Sequence, residues 1–304
     1  MAGRLGIGAA FRRTTPTSSM SSAKSAASSA AVPTFPRPTI AILFVVAIWG
    51  LCWKLEAMNT PQEKRWALIT GAGVRVGRAL ARAFAEAGFD LLLHVHRSRE
   101  GAEEVAAEAR KLGREARVFQ ADLSCEEEVD RLSAEIRAEV EALEVLVHNA
   151  AIYEKIPFAA IDRTRYRRML ALNLDAPFFL TQALLPLLEK GHSPSVIHLG
   201  DIGGDRADPG YAHYSVSKAG ILMLTRALAV ELAPRIRVNA ISPGTVAFPE
   251  GLSRAEREAI LARIPMGREG ACEDVARTAV FLAKDAPYLT GQNIEVDGGR
   301  SALL

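Results

Sequence analysis

Residues 66–95 read WALITGAGVRVGRALARAFAEAGFDLLLHV. The apolar run Trp66-Ala67-Leu68-Ile69 gives way to a glycine-rich turn, Thr70-Gly71-Ala72-Gly73-Val74-Arg75-Val76-Gly77. Residues 75–88 are alanine-rich with helical periodicity and end at Gly88, a residue suited to closing a helix. A second apolar run, Leu91–Val95, follows. Short apolar runs read as buried strands, and two of them joined through a helix form a right-handed βαβ unit with parallel strands.

The alternation continues downstream. Helical patterns cover 99–112, which stops at Gly113, then about 125–141, 162–189 and 215–232, with a further helical region at 253–283. Strands are expected at 117–121, 145–147, 196–199, 236–241 and 293–296. With the first two they make seven, so the chain is expected to be α/β, with a doubly wound parallel sheet in a single domain over residues 58–304.

Upstream the composition changes. Residues 1–38 are rich in Ser, Ala, Thr and Pro and carry no acid, unlike a packed domain. Residues 40–53 are apolar, but these 14 residues fall short of the ~20 that a spanning helix needs. Three readings compete for residues 1–57: an organelle transit segment, a membrane tether through residues 39–55, or an upstream extension with the true start at Met58. On each of them 1–57 is a flexible N-terminal extension outside the fold. The protein is expected in the cytoplasm unless that extension anchors or targets it.

Net charge is +2, yet residues 1–57 hold six basic residues and one acid, leaving 31 basic against 34 acidic in the rest. A folded part that is not basic argues against a nucleic-acid partner. Cys52, Cys125 and Cys272 are scattered, and the six histidines show no ligand spacing, so no disulfide framework or metal site is expected.

The candidate site residues fall at the ends of the strands. Glycines at 71 and 77 let backbone amides approach a pyrophosphate at the helix N-terminus, with Arg75 and Val76 beside it. The second strand ends in His96-Arg97-Ser98, with no acid to hold a bare ribose; arginine pairs with a 2′-phosphate, which favours NADPH. Asp122, beside Leu123, can accept from an adenine amino group or cap the next helix. Asn149 and Ala150 follow the fourth strand, and Asn149 can tie adjacent strands. Tyr153 reads equally as a core aromatic or a site residue. Asn173 is polar in an apolar helix and needs a buried partner. Pro243 and Gly244 end the sixth strand, where open α/β sheets bind ligands. In 201–218, DIGGDRADPGYAHYSVSK, Tyr214 and Lys218 share one helix face. A lysine ammonium there moves the phenol toward a working pKa, and Asp201 can reach the same hydroxyl.

Residues 64–300 resemble the short-chain dehydrogenase/reductases, a Rossmann-type fold. The resemblance rests on Thr70-Gly71…Gly77, Asp122-Leu123, Asn149-Ala150, Asn173, Tyr214-x-x-x-Lys218, Pro243-Gly244 and Val296-Asp297-Gly298-Gly299. Within that family the chain is most similar to the pteridine reductases, through Arg75, His96-Arg97-Ser98, Asp201 in the usual serine position, Tyr211, and Asp297 to Ser301. It departs from them at His148, Ala151 and Tyr153. The resemblance implies NADPH-dependent reduction of a C=N bond in a dihydropterin, in a homotetramer. Tyr214 would donate the proton and Lys218 would hold the nicotinamide ribose. Asp201 would orient or reprotonate the tyrosine, and Asn173 would hold a relay water. Arg75, Tyr153, Asp201, Tyr211 and Tyr214 would contact substrate. Two alternatives stand beside this reading: a carbonyl reductase acting on a keto-acyl or other ketone, and a non-catalytic, membrane-tethered NADP-binding protein.

Overall fold

A computed structural model describes residues 64–248 and 251–303, so the expectations for residues 1–57 lie outside the described residues. The strands are β1 (Trp66–Thr70), β2 (Asp90–Val95), β3 (Ala116–Gln120), β4 (Val145–His148), β5 (Ser195–Leu199), β6 (Arg237–Pro243) and β7 (Asn293–Val296). They form one seven-stranded sheet in the order β3-β2-β1-β4-β5-β6-β7, and every pairing is parallel. The order reverses between β1 and β4, which opens a crevice at their C-terminal ends. Fold class and strand count are as the sequence predicts.

The helices are α1 (Arg75–Glu86), α2 (Arg99–Lys111), α3 (Glu126–Glu139), α4 (Arg163–Leu170), α5 (Ala176–Leu188), α6 (Ala212–Glu231), α7 (Arg254–Leu261) and α8 (Cys272–Lys284). Alternate strand residues feed two cores. Ala67, Ile69, Leu91 and Leu93 pack with α1, α2 and α8, while Trp66, Leu68, Leu92 and Leu146 pack with α3, α5 and α6. Burying each such leucine contributes roughly 1.5–3 kcal/mol.

Two helical expectations change. The region 162–189 is interrupted by a π-helical turn, Ala171–Asp175, and the region 253–283 is two helices parted by Ile264-Pro265-Met266-Gly267. The span Arg163–Leu188 is also long and apolar enough to cross a membrane, but Leu180, Leu184 and Leu188 are fully buried in the second core.

Three strand histidines are buried without charge. Burial lowers His94 to about 4 and His198 to about 3, the latter helped by the nearby Lys218 ammonium. His148, stacked on His198 with ring centroids 5.2 Å apart, also lies well below its ordinary value through burial. The unfolded chain takes up these protons near 6.5 and the native state does not. Stability is therefore fully present above pH 6.5 and is lost as pH falls from there toward 3–4. Each histidine is expected to cost about 2 kcal/mol by about pH 5. Urea unfolding midpoints at pH 7 and pH 5 check this; equal midpoints would contradict it.

Candidate active site

The reacting centre is built where β5 leaves the sheet. Asp201 is extended and caps a short 3-10 turn, Ile202–Gly204: its Oδ1 accepts the Gly203 N–H at 2.6 Å. That turn aims Oδ2 at Tyr214, whose hydroxyl donates to it at 2.9 Å. Tyr214 lies inside α6, which begins at Ala212 rather than Ser215, and its side chain is buried. Burial, then the Asp201 carboxylate, push its pKa well up. The hydroxyl hydrogen is directed at Asp201 Oδ2, a placement that suits an acid.

Lys218, one turn on, is buried and donates from Nζ to the Leu199 carbonyl at 2.6 Å, the last residue of β5. Burial lowers it to about 8, and the Asp201 carboxylate opposes that shift. Its Nζ is 5.8 Å from the Tyr214 ring centre.

Asn173 sits in the π-helical turn and is buried. Its Oδ1 accepts the Ile152 N–H at 2.8 Å, and its Nδ2 donates to the Ile152 carbonyl at 3.0 Å and to Ser217 Oγ at 3.1 Å. The amide pins the chain beside Tyr153 to α6, so Asn173 is a positioning residue in this geometry.

One cleft of about 1680 Å³ runs from Arg97 and Ser98, past the glycine turn, to Tyr214. The turn is tightly packed. A Cβ on Gly73 would come 2.4 Å from the Ser98 carbonyl oxygen, and one on Gly77 2.0 Å from that of Gly71. Val74, which precedes α1, supplies no side-chain cap, and the first backbone N–H bonded back into the helix is that of Arg78. Uncapped amides at a helix N-terminus make an anion site. Arg75 has a left-handed backbone, φ 49°, and its Nη2 donates to the Ala247 carbonyl at 2.9 Å, across the cleft. Asn149 ties β4 to β1, as expected, through Nδ2 to the Thr70 carbonyl at 2.9 Å and the Gly71 carbonyl at 3.1 Å. Asp122 does not cap α3, whose N-cap is Cys125; its Oδ1 accepts from Ser124 instead, and Asp122 and Leu123 line the cleft. His96, Ala150, Pro243 and Gly244 line it too, as do Gly71, Val76 and Gly77. These residues fit a dinucleotide with its phosphates at α1.

At the substrate end three tyrosines meet. Tyr153 and Tyr211 stack at 4.9 Å and 17°, and Tyr153 meets the edge of Tyr214 at 4.9 Å and 80°. Tyr153 is 55% exposed and lines the cleft, so it is not a core aromatic. Sequence reasoning missed Thr70, whose Oγ1 accepts from the Asn149 and Ala150 amides. Arg300, read only within the Asp297 to Ser301 segment and given no role of its own, lies 3.7 Å from Asp208 and donates to Thr245 Oγ1 at the cleft mouth. The signal for Arg300 was its place after Asp297-Gly298-Gly299, both of whose glycines have positive φ.

A parallel sheet with a phosphate-accepting turn, and an acid–tyrosine–lysine set at the other end of one cleft, define a dinucleotide-dependent oxidoreductase. The family described as Enoyl-(Acyl carrier protein) reductase matches residues 71–301. A 3-oxoacyl-(acyl-carrier-protein) reductase FabG of Staphylococcus aureus is 35% identical over 237 residues, covering 77% of this chain and 96% of the relative. The corresponding reductase of Synechocystis is 36% identical over 236 residues, covering 77% and 95%. Among solved structures, one described as a short-chain alcohol dehydrogenase from Sinorhizobium meliloti superposes with a TM-score of 0.74 at 32% identity, covering 79% of this chain and 97% of that one. A blue fluorescent protein from a metagenomic library, in complex with NADPH, gives 0.72 at 28% identity, covering 78% and 97%. The chain belongs to the short-chain dehydrogenase/reductase family.

Proposed function

We infer that this chain uses NADPH to reduce the C=N bond of a dihydropterin or related pteridine. The observation that carries this reading is the Asp201–Tyr214 hydrogen bond, 2.9 Å long, beside the Tyr153–Tyr211 stack. NADPH, when bound, supplies the hydride. Reduction of a C=N bond also needs a proton on nitrogen. Tyr214 carries one and Asp201, which accepts its hydroxyl in a hydrogen bond, orients it; after transfer the tyrosinate regains a proton from solvent, passed on once the Asp201 carboxylate has taken one up. The exposed face of Tyr153 offers a planar heterocycle an aromatic surface. Lys218 keeps a positive charge under the site below its pKa of about 8. The retained Asp201, Tyr214 and Lys218 speak against a non-catalytic binding protein.

A second reading, reduction of a 3-oxoacyl thioester, is favoured by the names of the relatives at 35–36% identity. Purified protein assayed with NADPH against dihydropterins and 3-oxoacyl thioesters separates the two. A higher kcat/KM on dihydropterins supports the first; a higher value on thioesters replaces it with the second.

Cofactor choice is a separate expectation. Arg97 and Ser98 line the cleft where an acid would select a bare ribose. Arg97→Ala is expected to weaken NADPH by about 1.5–3 kcal/mol, an ion-pair-sized loss, and to leave NADH unchanged. Titration of both cofactors checks this, and an equal loss for the two would contradict it.

A further inference from the structure

The pteridine reading makes no use of His94, although its ring touches two parts of the cofactor cleft. His94 lies at the end of β2 and is only 1% exposed. Its Nδ1 accepts the Gly71 N–H at 3.3 Å, and its Nε2 pairs with the Ala121 carbonyl at 3.0 Å. A carbonyl can only accept, so Nε2 carries the proton and Nδ1 is free to accept from the turn. The backbone takes part as well: the His94 carbonyl accepts the Ala72 N–H at 2.9 Å. One residue thus gathers two consecutive amides of the glycine turn. Through Ala121 it also fixes the chain just before Asp122.

We propose that His94 is a positioning residue for the cofactor: by drawing the Gly71 and Ala72 amides inward, it leaves those at the start of α1 facing the phosphates, and it holds the adenine-side loop at Asp122 in register with them. Gly71 has φ +69° and its position is tight, with a Cβ there meeting Ala150 Cα and Asn149 Nδ2 at 3.0 Å. Small shifts of the turn therefore run into β4. An aliphatic side chain at 94 would strand the buried Gly71 N–H and the Ala121 carbonyl, and the turn would have to move to satisfy them. The neutral ring that this geometry requires agrees with the lowering of His94 to about 4.

The test compares His94→Leu with His94→Asn. Asparagine places Oδ1 where Nδ1 stands and keeps the acceptor for Gly71. NADPH binding to each purified variant is measured by calorimetry, at a temperature where circular dichroism shows it fully folded. His94→Leu is expected to raise the Kd about tenfold or more, as loss of one or two buried hydrogen bonds implies. His94→Asn is expected to recover most of that loss. In steady state, KM for NADPH should rise while kcat at saturating NADPH stays within about twofold, because residue 94 touches neither Tyr214 nor Lys218. The binding readout stands whichever substrate the enzyme prefers, so its failure is distinguishable from failure of the pteridine reading. A folded His94→Leu with native Kd overturns the proposal, as does a His94→Asn as impaired as a folded His94→Leu. If His94→Leu does not fold, native and His94→Asn proteins are compared with His94→Gln, which keeps a donor toward Ala121. Near-native affinity in His94→Asn with a clear loss in His94→Gln supports the role given to Nδ1; equal affinity in all three, or a tenfold loss in His94→Asn, overturns it.

Discussion

Asp201→Asn is expected to lower dihydropterin reduction by roughly 10²–10⁴-fold, the usual worth of one acid–base group, while NADPH affinity barely changes. Asparagine has nearly the size of aspartate and can still accept the Gly203 N–H, so the 3-10 turn at Ile202–Gly204 is expected to survive. What changes is the atom facing Tyr214. An amide NH₂ there donates, so the phenol loses the acceptor that orients its proton and the neighbour that can return one. Asp201→Ser restores a hydroxyl, and it is expected to lose pterin reduction while gaining weak activity on ketones. Single-turnover rates with each substrate make the measurement. Near-native turnover of every dihydropterin by Asp201→Asn would remove the carboxyl group from the proton path and the pteridine reading's main support with it.

The second large effect is on stability. Gly77→Ala is expected to destabilise the fold by about 3 kcal/mol or more and to abolish NADPH binding. A Cβ at 77 would sit 2.0 Å from the Gly71 carbonyl oxygen and 2.7 Å from Asn149 Nδ2. Neither neighbour is free to yield: Asn149 is held by Thr70 and Gly71, and Gly71 is held by His94. Gly113→Ala is the comparison. Gly113 has φ +74° but nothing within 4 Å of its Cβ position, so only the left-handed backbone penalty of about 1–2 kcal/mol applies. Urea melts of the two variants should separate clearly. A Gly77→Ala no less stable than Gly113→Ala would mean that the approach of turn to helix is not fixed.

The strand–helix alternation was legible because strands covered on both faces must be apolar throughout. The fully buried stretches at β1, β4 and β5 are mostly such runs, their few polar residues being Thr70, His148, Ser195 and His198. The glycine turn and the Tyr214–Lys218 pair were legible for a similar reason: each is local, and its chemistry follows from spacing along the chain. What stayed hidden was tertiary. The π-helical turn at Ala171–Asp175 accompanies Asn173 reaching Ile152, a contact 21 residues back. The split between α7 and α8 did have a local sign, Pro265 and Gly267, that was read through. The upward push on the Tyr214 pKa could not be read from helical spacing; burial and Asp201 supply it, and both appear only when β5 and α6 are brought together. His94 looked like one more strand residue, since the backbone groups it serves come from β1 and β3.

The parallel sheet also bears on how the chain is made. β1 is the first strand of the sheet to leave the ribosome and lies near its middle, yet its partner on one side, β4, comes much later: Ala67 pairs with Val145. At a synthesis rate of about 5–20 residues per second, that side of β1 waits about 4–16 seconds for its neighbour. No hairpin can shield it, because parallel strands close only through crossovers. The exposed edge is Trp66-Ala67-Leu68-Ile69-Thr70, uncharged and buried throughout in the finished fold. Lys64 and Arg65 come directly before it. Beyond their ion pairs with Glu115 and Glu144 in the native state, they place two charges directly beside the exposed edge, where like charges on a second nascent chain oppose pairing.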